Sequence, residues 1–160
     1  MTTDTPQLEP AVVWEALLRT VTALVRTYER EMADEIGLPL TWYDVLIQLF
    51  EAPDQRLRMQ ALADAVVLSR SGLTRLVDRI EAAGMLRREH SREDRRGTFA
   101  VLTEAGLAMV ERARPIHHRG IQEHFSQHLN EDEARALHEA ISKVRGANLR
   151  DPAGIGPWPT

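Results

Sequence analysis

Cysteine is absent from the 160 residues. That excludes disulfides, thiolate zinc sites, iron–sulfur clusters, cysteine nucleophiles and thiol redox switches. Aromatic residues are scarce at 5%, which weighs against an all-β sandwich. No apolar run approaches the roughly 20 residues of a membrane span. The opening MTTDTPQLEP lacks the apolar core of a secretory signal, so the expected location is the cytoplasm, with no membrane partner. Catalytic signatures are missing too. There is no glycine-rich phosphate loop, no His-Glu-x-x-His and no Gly-x-Ser-x-Gly, so neither an enzyme nor a cofactor is expected. What is present is 43% hydrophobic and 28% charged residues, the balance of an ordinary soluble domain. Ala, Leu and Arg are plentiful and favour helix. The length suits one compact domain, or a small domain with an assembly element.

A net charge of −4 argues against a polyanionic partner until its distribution is read. Residues 69–96 hold eight arginines against five acids, leaving twelve basic groups against nineteen acids elsewhere. A basic segment inside an acidic chain is a local footprint, and local potential is what a polyanion meets.

Periodicity gives the element order. Pro10 suits a first helical turn, and Val13, Leu17, Val21, Leu24, Tyr28 and Met32 then form one apolar stripe, with Gly37 as a stop. Thr41 with Asp44 resembles an N-cap pair, opening a helix that carries Val45, Leu46, Leu49 and Phe50 inward and ends before Pro53. A short helix around Leu62 follows. A further helix is capped by Ser69, buries Leu73, Leu76, Val77 and Ile80, and stops at Gly84. Residues 86–90 and 98–102 read as strands around a seven-residue charged turn, a hairpin. Thr103 caps the next helix, which Pro115 is expected to kink or break on the way to Leu129. Asn130 and Glu133 form a capping-box pattern for a last helix carrying Ala134, Leu137, Ile141 and Val144.

The succession of helix, short helix, turn, helix and hairpin is that of a winged helix–turn–helix. In such units the N-terminal end of the second helix meets base edges in the major groove. Here that end reads Ser69-Arg70-Ser71-Gly72-Leu73-Thr74-Arg75. The hydroxyls of Ser69, Ser71 and Thr74 can bond bases or phosphates, and Arg70 and Arg75 can pair bidentately with guanine or phosphate. Gly72 permits close approach at about 1 kcal/mol of helix stability relative to Ala. Arg92, Arg95 and Arg96 at a hairpin tip can enter a narrow minor groove. Alone, a short helical pair is common in helical proteins and an Arg-rich hairpin is usually a solvated loop. Adjacent and in this order, the two point to DNA.

The residues over 57–106 resemble the MarR (multiple antibiotic resistance regulator) family of bacterial transcription factors. The resemblance is carried by Leu62-Ala63, Leu68-Ser69-Arg70-Ser71, the run Leu73 to Glu81, Gly84, and Asp94-Arg95-Arg96-Gly97 leading to Leu102-Thr103 and Gly106. It implies a mainly α fold with a small β-hairpin wing, in which a winged helix–turn–helix is joined to a helical dimerisation region. Residues 38–103 are then the DNA-binding domain, 1–37 and 104–150 the dimerisation region, and 151–160 a tail expected to be poorly ordered. The implied function is a double-stranded-DNA-binding regulator, a repressor, acting as a homodimer on a palindromic operator and modulated by a small aromatic or anionic ligand. By the same resemblance Arg96 reaches the minor groove and Asp94 positions it. The long first and last stripes independently favour a dimer, because a small winged core cannot cover them.

Trp14, Trp42 and Tyr43 are the candidate ligand-binding residues, with simple helix packing as the alternative. His117, His118, His124 and His128 follow Pro115, and His124 and His128 are spaced to share a helix face. Further ligands cannot be named, so no metal is assigned, and these histidines are expected beside the dimer seam with Phe125 and Leu129 inward. Two other readings use the same fold: a metal-responsive regulator, and a protein-interaction module that does not bind DNA. The second would not need positive charge on both helix and hairpin.

Overall fold

In a computed structural model of the protein, residues 9–66, 70–90 and 97–148 are described, with 70, 71 and 148 described in backbone only. The expected caps for residue 69, the 91–96 turn and the 151–160 tail lie outside the described residues.

Helix α1 (Pro10–Ile36) has Pro at its first turn and ends on Gly37 at φ +68°, whose N–H bonds the Ala33 carbonyl. Helix α2 (Leu40–Glu51) starts one residue before Thr41. Pro39 holds the extended conformation at its N-cap, with no side-chain cap. The expected Thr41–Asp44 pair is thus replaced by a proline-set start. Strand β1 (Arg56–Arg58), helix α3 (Met59–Ala65) and helix α4 (Arg70–Ala82) follow. Strands β2 (Leu86–His90) and β3 (Thr98–Leu102) come next, then the long α5 (Glu104–His124) and α6 (Glu131–Asn148).

The sheet order is β1-β3-β2, antiparallel throughout. The expected hairpin is therefore widened by a third strand. The sequence hides it, since β1 is Arg-Leu-Arg and its backbone is ordered by the open edge of β3 rather than by β propensity.

One core unites α2, α3, α4, the inner sheet face and α5. Its fully buried members include Tyr43, Leu46, Leu49, Leu62, Ile80 and Val110. The C-terminal end of α1 joins through Met32, which is also fully buried. Gly106 lies where the start of α5 crosses the turn after α4. A Cβ there would sit 2.0 Å from the Met85 carbonyl oxygen. Beside it the Thr103 hydroxyl donates to the Gly84 carbonyl and accepts from the Gly106 N–H.

Pro115 does not interrupt α5. Pro115 and Glu111 are both exposed, so the Glu111 carbonyl that loses its helical donor faces water, while Ala113 and Ile116 anchor the helix on the core side. The helix ends instead at Phe125, followed by a 3-10 turn over Ser126–His128. The capping box of α6 is complete: the Glu133 N–H donates to Asn130 Oδ1 at 3.0 Å, and the Asn130 N–H donates to Glu133 Oε2 at 2.9 Å.

Candidate nucleic-acid interface

Helix α4 divides cleanly into two faces. Leu73, Leu76, Val77 and Ile80 are at most 3% exposed. Thr74, Arg75, Asp78 and Arg79 face outward. Gly84, at φ +76°, ends the helical path, and the chain turns directly into β2.

The wing is fastened to α4 by Arg88. Strand alternation turns Arg88 away from the outer sheet face, toward α4. Its guanidinium meets Asp78 at 2.7 Å and also Glu81, and it donates to the Thr74 carbonyl at 3.5 Å. Its backbone N–H donates to Glu81 Oε1 at 2.7 Å. A β2 side chain thus ties the wing to three residues along α4. Composition alone counts Arg88 as one more surface cation. The signal that could have found its role is its position two residues from Leu86, on the inward side of the strand, opposite Asp78 and Glu81 one helical turn apart. Arg87 pairs with Glu89. Among the described side chains of 69–96, these contacts take up Arg87, Arg88, Asp78, Glu81 and Glu89, while Arg75 and Arg79 stand exposed on α4.

Of the sequence-predicted DNA residues, Thr74 and Arg75 lie together on the outward face of α4. Arg70 and Ser71 occupy its first turn in backbone. Ser69, Arg92, Asp94, Arg95 and Arg96 lie outside the described residues.

The three candidate ligand residues are not gathered within one chain. Trp14 is 63% exposed on the N-terminal half of α1, and Tyr43 is 2% exposed inside the core. Tyr43 packs against His117 with ring centroids 4.9 Å apart, and His117 meets Tyr28 edge-on at 5.8 Å. Tyr28 is fourteen residues along α1 from Trp14, about 21 Å at 1.5 Å per residue. Trp42 is half-buried against the core. Burial pushes the Tyr43 phenol up to about 12 and holds His117 below the ordinary imidazole value, the nearby His118 adding to the latter. A crevice of about 140 Å³ between α3 and α4 is lined by Met59, Gln60, Ala63, Leu73 and Thr74. It is smaller than the roughly 300–1,000 Å³ of typical small-molecule sites.

The expected shared face of His124 and His128 is not formed. His124 is the last residue of α5 and His128 lies in the following 3-10 turn. Instead His124 Nε2 lies 2.5 Å from Glu31 Oε1, joining α5 to α1, as Arg119 does through Glu35. Among the described residues, no group of three His, Cys, Asp or Glu could hold a metal ion. Phe125, expected inward beside the dimer seam, is 38% exposed in the single chain.

A sequence model described as the MarR family matches residues 36–97. The transcriptional regulator MhqR of Bacillus subtilis is 35% identical over 114 residues, covering 71% of this chain and 76% of the relative. The chain belongs to the MarR family. It is a winged helix–turn–helix transcriptional regulator rather than an enzyme. Two solved MarR-family regulators of Streptomyces coelicolor share its architecture. AbsC superposes with a TM-score of 0.81 at 32% identity, covering 89% of this chain and 97% of that one. Sco3205, solved in complex with DNA, gives 0.83 at 31% identity, covering 97% and 98%. Among the described residues, no helix is long and apolar enough to cross a membrane.

Proposed function

We propose that this MarR-family regulator is a homodimeric repressor that binds a palindromic double-stranded operator and is released by a small aromatic or anionic ligand. The observation that carries the DNA reading is α4: one face is locked in the core, and the other presents Thr74, Arg75 and Arg79 to solvent. Arg88 sets the wing at a fixed place beside it. The complex of Sco3205 with DNA supports the same use of the fold here.

In this reading Ser69, Arg70, Ser71, Thr74 and Arg75 enter the major groove. Arg92, Arg95 and Arg96 meet the minor groove or phosphates, with Asp94 orienting Arg96. Residues 38–103 are the DNA-binding unit. Residues 1–37 and 104–150 pair two chains, supported by the exposed Val13, Leu17 and Val21 on α1 and Ile141 and Val144 on α6. Apolar surface left open on two helices is what a two-fold interface covers.

Selection of bound sequences from a random duplex pool tests the reading directly. The expected product is an inverted repeat with half-sites about 10 base pairs apart, centre to centre. Loss of Arg75 should cost about 1–3 kcal/mol at one base position and relax preference there, whereas loss of Arg96 should weaken binding to most sequences. Full affinity in Arg96→Ala would overturn the wing assignment, and absence of any enriched sequence would overturn operator binding. For the ligand, a panel of aromatic acids is titrated against operator-bound protein while Trp fluorescence, including that of Trp42, is followed. Ligand and operator should weaken each other by the same factor. A broad panel without effect would remove the effector from the scheme.

A further inference from the structure

The register of the wing sheet separates two faces. Leu57, Leu86, Ala100 and Leu102 turn inward to the core. Arg56 and Arg58 alternate with Leu57 and therefore point to the outer face, as do Phe99, Val101, Arg87 and Glu89. On that face the Arg56 guanidinium carbon lies 4.4 Å from the Phe99 ring centroid, and that of Arg58 lies 5.2 Å from it. We infer that Arg56 and Arg58, set over Phe99 on the outer face of the wing sheet, form a second phosphate-binding surface that holds the DNA backbone beside the groove entered by the wing. This rests on the DNA reading proposed above.

Three features favour a phosphate backbone. The first is the chemistry of the stack. An aromatic ring fixes guanidinium groups over its face while their N–H donors lie in the guanidinium plane, the arrangement that receives phosphate oxygens bidentately. Holding the side chains in place beforehand also lowers the ordering cost of binding. The second is electrostatic. Among the described residues of the three strands, this face carries Arg56, Arg58 and Arg87 against one acid, Glu89, so its field favours an anion. The third is continuity. Arg58 is paired with Phe99, next to Thr98 where β3 leaves the wing turn. The stack thus begins at the turn end of the hairpin strands and runs from there toward their base.

The test uses the full chain with operator duplex and a scrambled duplex over a range of salt concentrations. Each phosphate contact contributes about 0.9 to the slope of log K against log salt. Arg56→Gln with Arg58→Gln removes two cations from each of two subunits, so the slope should fall in magnitude by roughly 2 to 4. The loss of affinity should be equal on both duplexes, and the backbone-cleavage footprint should retreat at its outer edges. Phe99→Leu keeps both charges and should weaken binding with the slope nearly unchanged. Arg56→Gln alone, at an exposed position, should give about half the slope change and carries the test if the double variant fails to fold. An unchanged slope in a folded variant, or a loss confined to the operator sequence, overturns the inference while leaving DNA binding intact. Failure of the unaltered protein to bind either duplex overturns the DNA reading itself. A footprint unchanged at its edges, together with retained affinity for an acidic peptide that Arg56→Gln abolishes, would assign the surface to protein and also overturn it.

Discussion

Helices α1 and α4 carry equally regular apolar stripes, and the two meet opposite fates. In α4 the stripe is sealed by the sheet, α2 and α3, with Val77 and Ile80 at 0% exposure. In α1 only Met32 is buried, while Val13, Leu17 and Val21 are 51%, 41% and 48% exposed. Periodicity records which face of a helix is apolar and says nothing of whether one chain has enough surface to cover it. Helix α4 is stabilised by its own chain. Among the described residues, nothing seals the stripe on the N-terminal half of α1, and an amphipathic helix left so is marginal in water.

Substitutions separate the two cases. Ile80→Ala should cost about 2–5 kcal/mol, read as a fall in the urea midpoint, because it opens a cavity in a sealed core. Leu17→Ala should cost about 2 kcal/mol per chain if a second subunit buries that side chain. Its effect should appear as a shift of dimer dissociation in sedimentation, with the melting temperature of the unaltered protein rising with concentration. A cost near zero for Leu17→Ala would mean that the stripe of α1 stays in water, and the comparison would fail. Helix α6 lies between these extremes, since its residues are largely exposed yet its first turn is closed by side chains. Asn130→Ala should cost about 1 kcal/mol, seen as reduced protection of the first α6 amides from hydrogen exchange.

Acidification probes the place where the buried end of α1 meets α2 and α5. His117 lies there between Tyr28 and Tyr43, with its folded-state value held below the ordinary one by burial and then by His118. The neutral ring is favoured in the folded chain. The stability it contributes is present above the unfolded imidazole value, about 6.5, and is lost as pH falls through the lowered folded value. The melting temperature should drop as the pH falls from about 6.5 toward the lowered folded value. His117→Phe, which keeps a buried ring and removes the titration, should flatten the drop, and an unchanged pH profile in that variant would place its cause elsewhere.

Local signals were legible wherever one residue sets its own neighbourhood. Gly37, Gly84, Thr103 and the Asn130–Glu133 pair mark helix ends in sequence and in space. Strands 86–90 and 98–102 match their periodicity because each places alternate residues on a core. What sequence could not supply was decided at a distance. β1 exists because β3 has an open edge, Pro115 is tolerated because the carbonyl it leaves is solvated, and His124 turns to Glu31 on α1. The same division holds at the site. Thr74 and Arg75 could be read from the face of one helix. The role of Arg88 required knowing which strand face meets α4.

The crowding at Gly106 has a consequence for anyone altering this protein. A methyl group there would have to displace the Met85 carbonyl, and Met85 is the residue that leads into β2. An alanine at the mouth of the long helix would therefore be registered at the base of the wing. Efforts to retarget the protein by exchanging residues of α4 or the turn will keep their intended aim only while position 106 is left bare.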